Sequence, residues 1–426
     1  MADPKLYPRT HHERFIARTT SSMPQARAQL EGMMAMRGCS LGEAIAVTLA
    51  SAASHRVSPV MMQAMHRSAM DMVLESVDDP TSYAELVRST ACDEYIRSLS
   101  ALAEALSGTS MATADLICHV QTQWQTACFE RYGKRTYVVS EGLGVDLALT
   151  ELRGITGADL RLPYPSIYVQ VPPTLGYTVD SAEGEHLVTG AYITEDKTDS
   201  ARWTKVDLDK TVHEVPTDGG RSWRVLLTAE SALRDDEKKN DEDDALQFFA
   251  ISLTPEDVTI DDTLRETVEV FRGTPAELAR GENTDKWLPI FRWLMNVVFY
   301  ATSPDAQREH LRANAVADRL WRKVQRAPRN TTQRKRLQGE YRKLDPRERI
   351  LLGRSIKVDR ARQEHHASSL RSGKRDALLR RTLVPGHFQR YHTGEGRTVT
   401  VWKWKAPHIR NADAAIESSN LHVLGQ

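Results

Sequence analysis

LVPGHFQRYHTGEGRTVTVWKWKAPHIR, residues Leu383 to Arg410, concentrates aromatic, histidine, arginine and glycine side chains as no other stretch of the chain does. Val384-Pro385-Gly386 has turn chemistry, because proline presets φ and glycine accepts φ > 0. Thr393-Gly394-Glu395-Gly396 supplies a second, glycine-rich turn. Between and after them, His387 to Tyr391 and Thr398 to Lys405 alternate in character with the period of two that a strand imposes. This predicts a β-hairpin with Val399, Val401 and Lys403 on one face and Thr400, Trp402 and Trp404 on the other. It closes before Pro407, which has no N–H for a ladder. With two tryptophans on one face, one buried and one exposed is the expected compromise.

Working outward, the hairpin ends a strongly basic region. Through Gln307 the chain carries 29 Lys and Arg against 46 Asp and Glu, a net charge of −17. From Arg308 to Arg410 the counts are 28 and 9, a net charge of +19. A basic region of that size is an electrostatic footprint for nucleic acid, or it packs on the acidic body of its own protein. For the first case the phosphate-binding candidates are Arg334, Lys335, Arg336, Arg342 and Lys343 in the helical part. In the hairpin they are Arg390, Arg397 and Arg410, with Tyr391, Trp402 and Trp404 as stacking faces.

Upstream the hydrophobic period changes twice. Residues 1–23 are polar and read as a flexible lead-in. Residues 24–135 carry helical spacing, with Pro24 and Pro59 at first helical positions and a capping box at Ser40 to Glu43. Residues 136–303 form an α+β domain. Its β-rich runs are Ser166 to Val171, His186 to Thr194, Trp203 to Leu208, Ser222 to Thr228 and Leu246 to Leu253, followed by helices at Thr259 to Arg272 and Asp285 to Ala301. A basic helical region covers 304–382, with a helix over Arg308 to Gln325. The hairpin spans 383–410, and 411–426 is a tail. The expected class is therefore α+β: an N-terminal helical region, a central, mainly antiparallel sheet with helices, and a basic helical C-terminal region ending in a β-hairpin.

Several chemistries lack their signatures. There is no G-x-x-x-x-G-K-[ST], no G-x-S-x-G and no H-E-x-x-H. Cys39, Cys92, Cys118 and Cys128 form no C-x-x-C pair, so no zinc or redox motif is read and reduced, buried thiols in a cytoplasmic protein are expected. Neither a metal nor a cofactor is expected. No apolar run approaches the ~20 residues of a membrane span, and no secretory leader is visible. One catalytic idea remains open: a metal-independent ribonuclease in which His387, His392 or His408 act as acid and base beside an arginine. Histidines in a basic aromatic hairpin serve equally well as binding or packing residues.

Two segments carry a resemblance. Gly386-His387-Phe388, then Gly394-x-Gly396-Arg397, then Val401-Trp402 and Pro407-His408 resemble the C-terminal signature of a family of phage and mobile-element proteins that includes a type V-A anti-CRISPR. Leu160 to Val169, LRLPYPSIYV, is similar to a second segment of that family. Where the family has Tyr-Gly-Pro-Gly and Ile-Trp-Ile, this chain has His392 to Gly396 and Val401-Trp402-Lys403, a turn without proline and a more basic face. The resemblance implies an inhibitor, without cofactor, of a host CRISPR effector. Its acidic N-terminal and central parts would hold a peptide of the effector, and its basic end would engage RNA or a ribosome-associated complex. A protein-interaction scaffold with no nucleic-acid role is the alternative.

Overall fold

The computed structural model describes residues 10–54, 58–78, 83–107, 113–131, 135–181, 184–196, 203–206, 212–215, 221–231, 245–253, 258–271, 284–312, 348–358 and 382–410, with single positions between 320 and 362. Arg334, Lys335, Arg342, Lys343 and the tail at 411–426 lie outside the described residues.

The first helix, α1 (His11–Arg37), begins inside the expected lead-in. Thr10 caps it: its hydroxyl accepts from the Glu13 N–H while the Glu13 carboxylate accepts from the Thr10 N–H. Ile16 is fully buried, so this turn is held by packing as well as by its cap. Pro24 lies inside the helix, not at its start. Helices α2 (Leu41–Ser54), α3 (Pro59–Glu75), α4 (Tyr83–Arg88), α5 (Thr90–Ser107) and α6 (Thr113–Arg131) complete the N-terminal layer. Leu30, Ile45, Met65, Met70, Val73, Tyr95 and Trp124 fill its core, which places methionine there as a space-filling residue. Within it His66 Nδ1 and His119 Nε2 lie 3.1 and 3.4 Å from the Tyr95 hydroxyl. Burial lowers the pKa of His66 to about 3, with the nearby His119 adding to it, and that of His119 to about 4.

The central sheet runs β10-β11-β1-β3-β5-β8-β9, with β4 (Thr178–Ser181) also on β5. β1 (Arg135–Val139) is parallel to β3 (Ser166–Gln170) on one side and to β11 (Glu348–Leu352) on the other. The remaining ladders, through β5 (Gly184–Asp196), β8 (Arg221–Ser231), β9 (Ala245–Leu253) and β10 (Arg308–Arg312), are antiparallel. The architecture is α+β, with helices on both sides of the sheet. Alternation sorts the side chains: Tyr168, Tyr192 and Leu226 meet Phe129 of α6, whereas Ile167, Val169, Ile193, Val225 and Leu227 join the core on the opposite face. That second face is covered by α7 (Glu141–Ala148), α8 (Ile260–Phe271) and α9 (Trp287–Thr302), the last almost wholly buried.

The expected helix at Arg308 to Gln325 is overturned at its start, which is strand β10. Ser303, in an extended conformation, stops α9, and Arg308 donates to the carbonyls of Ala301 and Ser303 at that helix end. The chain then pairs with β11, so a remote partner overrides the local helical pattern. Because β10 and β11 extend the central sheet, the sheet crosses the expected division at residue 304. Buried ion pairs tie the layers together. Glu13 accepts from Arg349 of β11 at 3.3 Å, and Asp196 accepts from Arg224 at 3.0 Å and from the Tyr83 N–H at 3.1 Å.

Candidate nucleic-acid interface

The hairpin consists of β13 (Gly386–Thr393) and β14 (Val399–Lys405). Its turn uses left-handed backbone at Gly394, Gly396 and Arg397, which have φ of 81°, 68° and 56°. Gly386 is needed for space. A Cβ there would lie 2.4 Å from Thr150 Oγ1, because β2 (Thr150–Glu151) runs parallel against Gly386 and His387. The expectation that Gly386 supplies a positive φ is thereby corrected; it does not adopt one.

The register places Phe388 opposite Trp404 and Arg390 opposite Trp402, so these four share one face. Phe388 and Trp402 meet Phe299 edge-on at 4.6 and 5.6 Å, and Trp404 meets Tyr300 at 5.2 Å. Both indole N–H groups are satisfied. Trp402 Nε1 donates to Asp159 at 3.1 Å and Trp404 Nε1 to the Thr150 hydroxyl at 3.2 Å. The expected compromise, one tryptophan in and one out, is not what forms: both pack against the core. Their rings face Phe299 and Tyr300, the last aromatic pair of α9, so they are docking residues of the hairpin. The sequence marked α9 as a buried helix, and nothing in it paired these rings with the hairpin.

The opposite face carries His387, Gln389, Tyr391, Val401, Lys403 and Lys405. The Lys403 and Lys405 ammonium groups each lie 5.7 Å from the centre of the Tyr391 ring, and the Tyr391 hydroxyl donates to Gln389 Oε1 at 2.8 Å. This sets one aromatic ring beside two cations at the protein surface. Lys403 also approaches Asp305 at 3.9 Å, an exposed pair that contributes little.

Of the histidine candidates, His387 and His392 are five residues apart on one strand. They therefore point to opposite faces, separated by roughly 16 Å along the strand. His392 Nδ1 lies 3.4 Å from the Thr400 hydroxyl, and exposed His408 pairs through its backbone with Val384. The geometry does not bring His387 and His392 together as an acid–base pair. Arg397 is exposed in the turn, Arg410 pairs through its backbone with Thr382, and Arg336 bonds Glu340, four residues on.

Residues 137–412, about two thirds of the chain, match the model of the AcrVA2-like, anti-CRISPR type V subtype A2 family. The chain belongs to that family. The match begins in β1 and runs past β15 (His408–Arg410), so this family's common part is the sheet, α7 to α9 and the hairpin, while α1 to α6 precede it. Among solved structures, the crystal structure of AcrVA2 is similar over 81% of this chain and 97% of its own, at 11% identity and a TM-score of 0.39. No curated protein matches. Among the described residues no helix is long and apolar enough to cross a membrane, and no group of three or more His, Cys, Asp or Glu is placed to hold a metal ion.

Proposed function

We propose that this anti-CRISPR protein acts in the cytoplasm for a phage or other mobile element and engages RNA, free or within a translating complex, through the outward face of its hairpin. The observation that carries the reading is the division of labour between the two faces. One is committed to the core through Phe388, Trp402 and Trp404, which leaves Tyr391 with Lys403 and Lys405 outward. Cations bind phosphate oxygens, and a fixed phenol ring stacks an unpaired base at ~1–3 kcal/mol. The acidic N-terminal and central parts hold the protein partner, a peptide of the CRISPR effector. The chain acts by binding; cleavage through the hairpin histidines is disfavoured because His387 and His392 diverge.

The test is crosslinking and sequencing of RNA recovered with the intact protein from its bacterial host, beside a Tyr391→Leu, Lys403→Gln, Lys405→Gln variant. Enrichment of one message or of ribosomal RNA that vanishes in the variant supports the reading. Equal recovery from both refutes it. A second reading has its own observation: part of the basic charge is used internally, in Arg349 with Glu13 and in Arg362 with Asp146. On that reading the C-terminal charge is a clamp for the acidic body, and RNA recovery is featureless.

A further inference from the structure

A second cationic site lies beside the hairpin, outside the stretch that composition marks as basic. Leu160 follows the 3-10 turn Gly157–Asp159, whose Asp159 accepts the Trp402 indole N–H. Two guanidinium groups meet at the Leu160 carbonyl: Arg161 Nη1 donates to it at 2.7 Å and Arg221 Nη1 at 3.0 Å. Sharing one oxygen, these nitrogens are at most 5.7 Å apart, the sum of the two distances. Like charges this close repel; Glu195 beside Arg221 offsets part of that cost, which leaves Arg161 as the cation of the two without a contact carboxylate among the described residues.

The nearby carboxylates are already engaged. Glu195 accepts from Arg221 Nε at 2.6 Å, while Asp159 accepts from Trp402 and from the N–H and hydroxyl of Thr156. Among the described residues Arg161 is exposed and forms no ion pair. Partial burial, and after it the Arg221 charge, hold the Arg161 guanidinium below its ordinary pKa, with the Glu195 and Asp159 carboxylates opposing the shift in part. Arg390 completes the geometry. It is exposed, opposite Trp402 on β13, and shares the tryptophan's face. Arg390 is thus the ladder partner of Trp402, and Arg161 lies two residues beyond the Asp159 that holds the Trp402 indole.

We propose that Arg161, backed by Arg221, binds a backbone phosphate of the RNA that the hairpin engages, so that the strand passes from Lys403 and Lys405 on the outward face around the hairpin's edge to Arg390 and Arg161. Arginine suits the role because its planar fork takes two phosphate oxygens at once. The site rests on the proposed RNA engagement and adds to it a contact on the sheet domain.

The experiment is fluorescence anisotropy of a labelled oligouridylate of roughly 20 nucleotides, longer than one binding site, with the full chain from about 50 to 300 mM salt. Arg161→Gln is expected to weaken binding severalfold and to reduce the slope of log K against log salt by about 0.7, one single-strand phosphate contact. Arg161→Lys keeps the charge and is expected to keep the slope; with an unchanged unfolding midpoint it separates lost charge from lost fold. Exposed Arg153, paired with half-buried Glu151, gives the control Arg153→Gln. An Arg161→Gln slope and affinity equal to wild type, while Lys403→Gln with Lys405→Gln loses binding, overturns this site and leaves the hairpin reading intact. No salt-dependent binding by the wild-type chain overturns both. Binding of a polyglutamate peptide that Arg161→Gln abolishes, with RNA binding unchanged, also overturns the proposal and assigns the site to acidic peptide.

Discussion

The paired histidines of the N-terminal layer give the protein a calculable acid sensitivity. His66 titrates at about 3 and His119 at about 4 in the fold, against ~6.5 for each in the unfolded chain. Both are bases with lowered folded pKa, so the unfolded state takes up protons first. Their contribution is complete above pH ~6.5, falls as pH drops below that value, and is lost on passing the folded pKa. A pH of ~5 is about 1.5 units below the unfolded pKa, so keeping each ring neutral costs the fold ~2 kcal/mol, and up to ~4 kcal/mol for the pair. Both rings retain some solvent contact, which lowers the sum to about 2–4 kcal/mol. The perturbation is His66→Gln with His119→Gln, which keeps amide donors and acceptors near the Tyr95 hydroxyl and removes the titration. Urea unfolding of both proteins at pH ~7.5 and ~5 is the assay. Other titrating groups act in both, so the difference isolates the pair. Wild type is expected to lose 2–4 kcal/mol more than the variant, and equal losses refute the assignment of these rings as buried neutral bases.

Other substitutions report on how the hairpin and the layers are held. Gly386→Ala puts a methyl 2.4 Å from Thr150 Oγ1 and is expected to cost about 1–3 kcal/mol, with faster proteolysis within 383–410; an unchanged digestion pattern would show that β2 yields without cost. Trp404→Phe keeps a ring against Tyr300 but removes the donor to Thr150, so a loss of ~1 kcal/mol in thermal or urea unfolding is expected, well below the ~3–5 kcal/mol of Trp404→Ala. Glu13→Gln removes the carboxylate that meets Arg349 at the helix–sheet interface and is expected to destabilise by about 3 kcal/mol, where an exposed pair such as Arg354 with Glu309 changes unfolding by less than ~1 kcal/mol.

Local alternation made much of this architecture readable. Ser166 to Val171 and Ser222 to Thr228 announce strands because both faces of the sheet are covered, and β-branched and aromatic residues run through them without a polar side. The hairpin is readable for the same reason, down to Val401 and Lys403 on one face and Trp402 and Trp404 on the other. What failed were features that depend on distant partners. Arg308–Arg312 looks helical until β11 lies beside it, and Gly386 looks like a turn glycine until Thr150 occupies its missing side chain. The direction of the tryptophan face followed from Phe299 and Tyr300, about a hundred residues earlier. Arg161 escaped notice because its neighbour Arg221 comes sixty residues later, and charge counted along the sequence cannot register a pair formed across a sheet.

The insertion of β11 between β1 and β10 has a consequence during synthesis. β1 leaves the ribosome early, yet its partner at Glu348–Leu352 follows some two hundred residues later. At about 5–20 residues per second that interval is roughly 10–40 s, during which one edge of β1 stands open and Glu13 lacks the cation that accompanies it in the finished fold. Newly made chains therefore pass through a stage with an unpaired inner strand, the state most exposed to edge-to-edge association and to chaperones. Chains stopped before residue 348 would be trapped there, so premature termination ahead of β11 should yield aggregated protein and no shortened, working form.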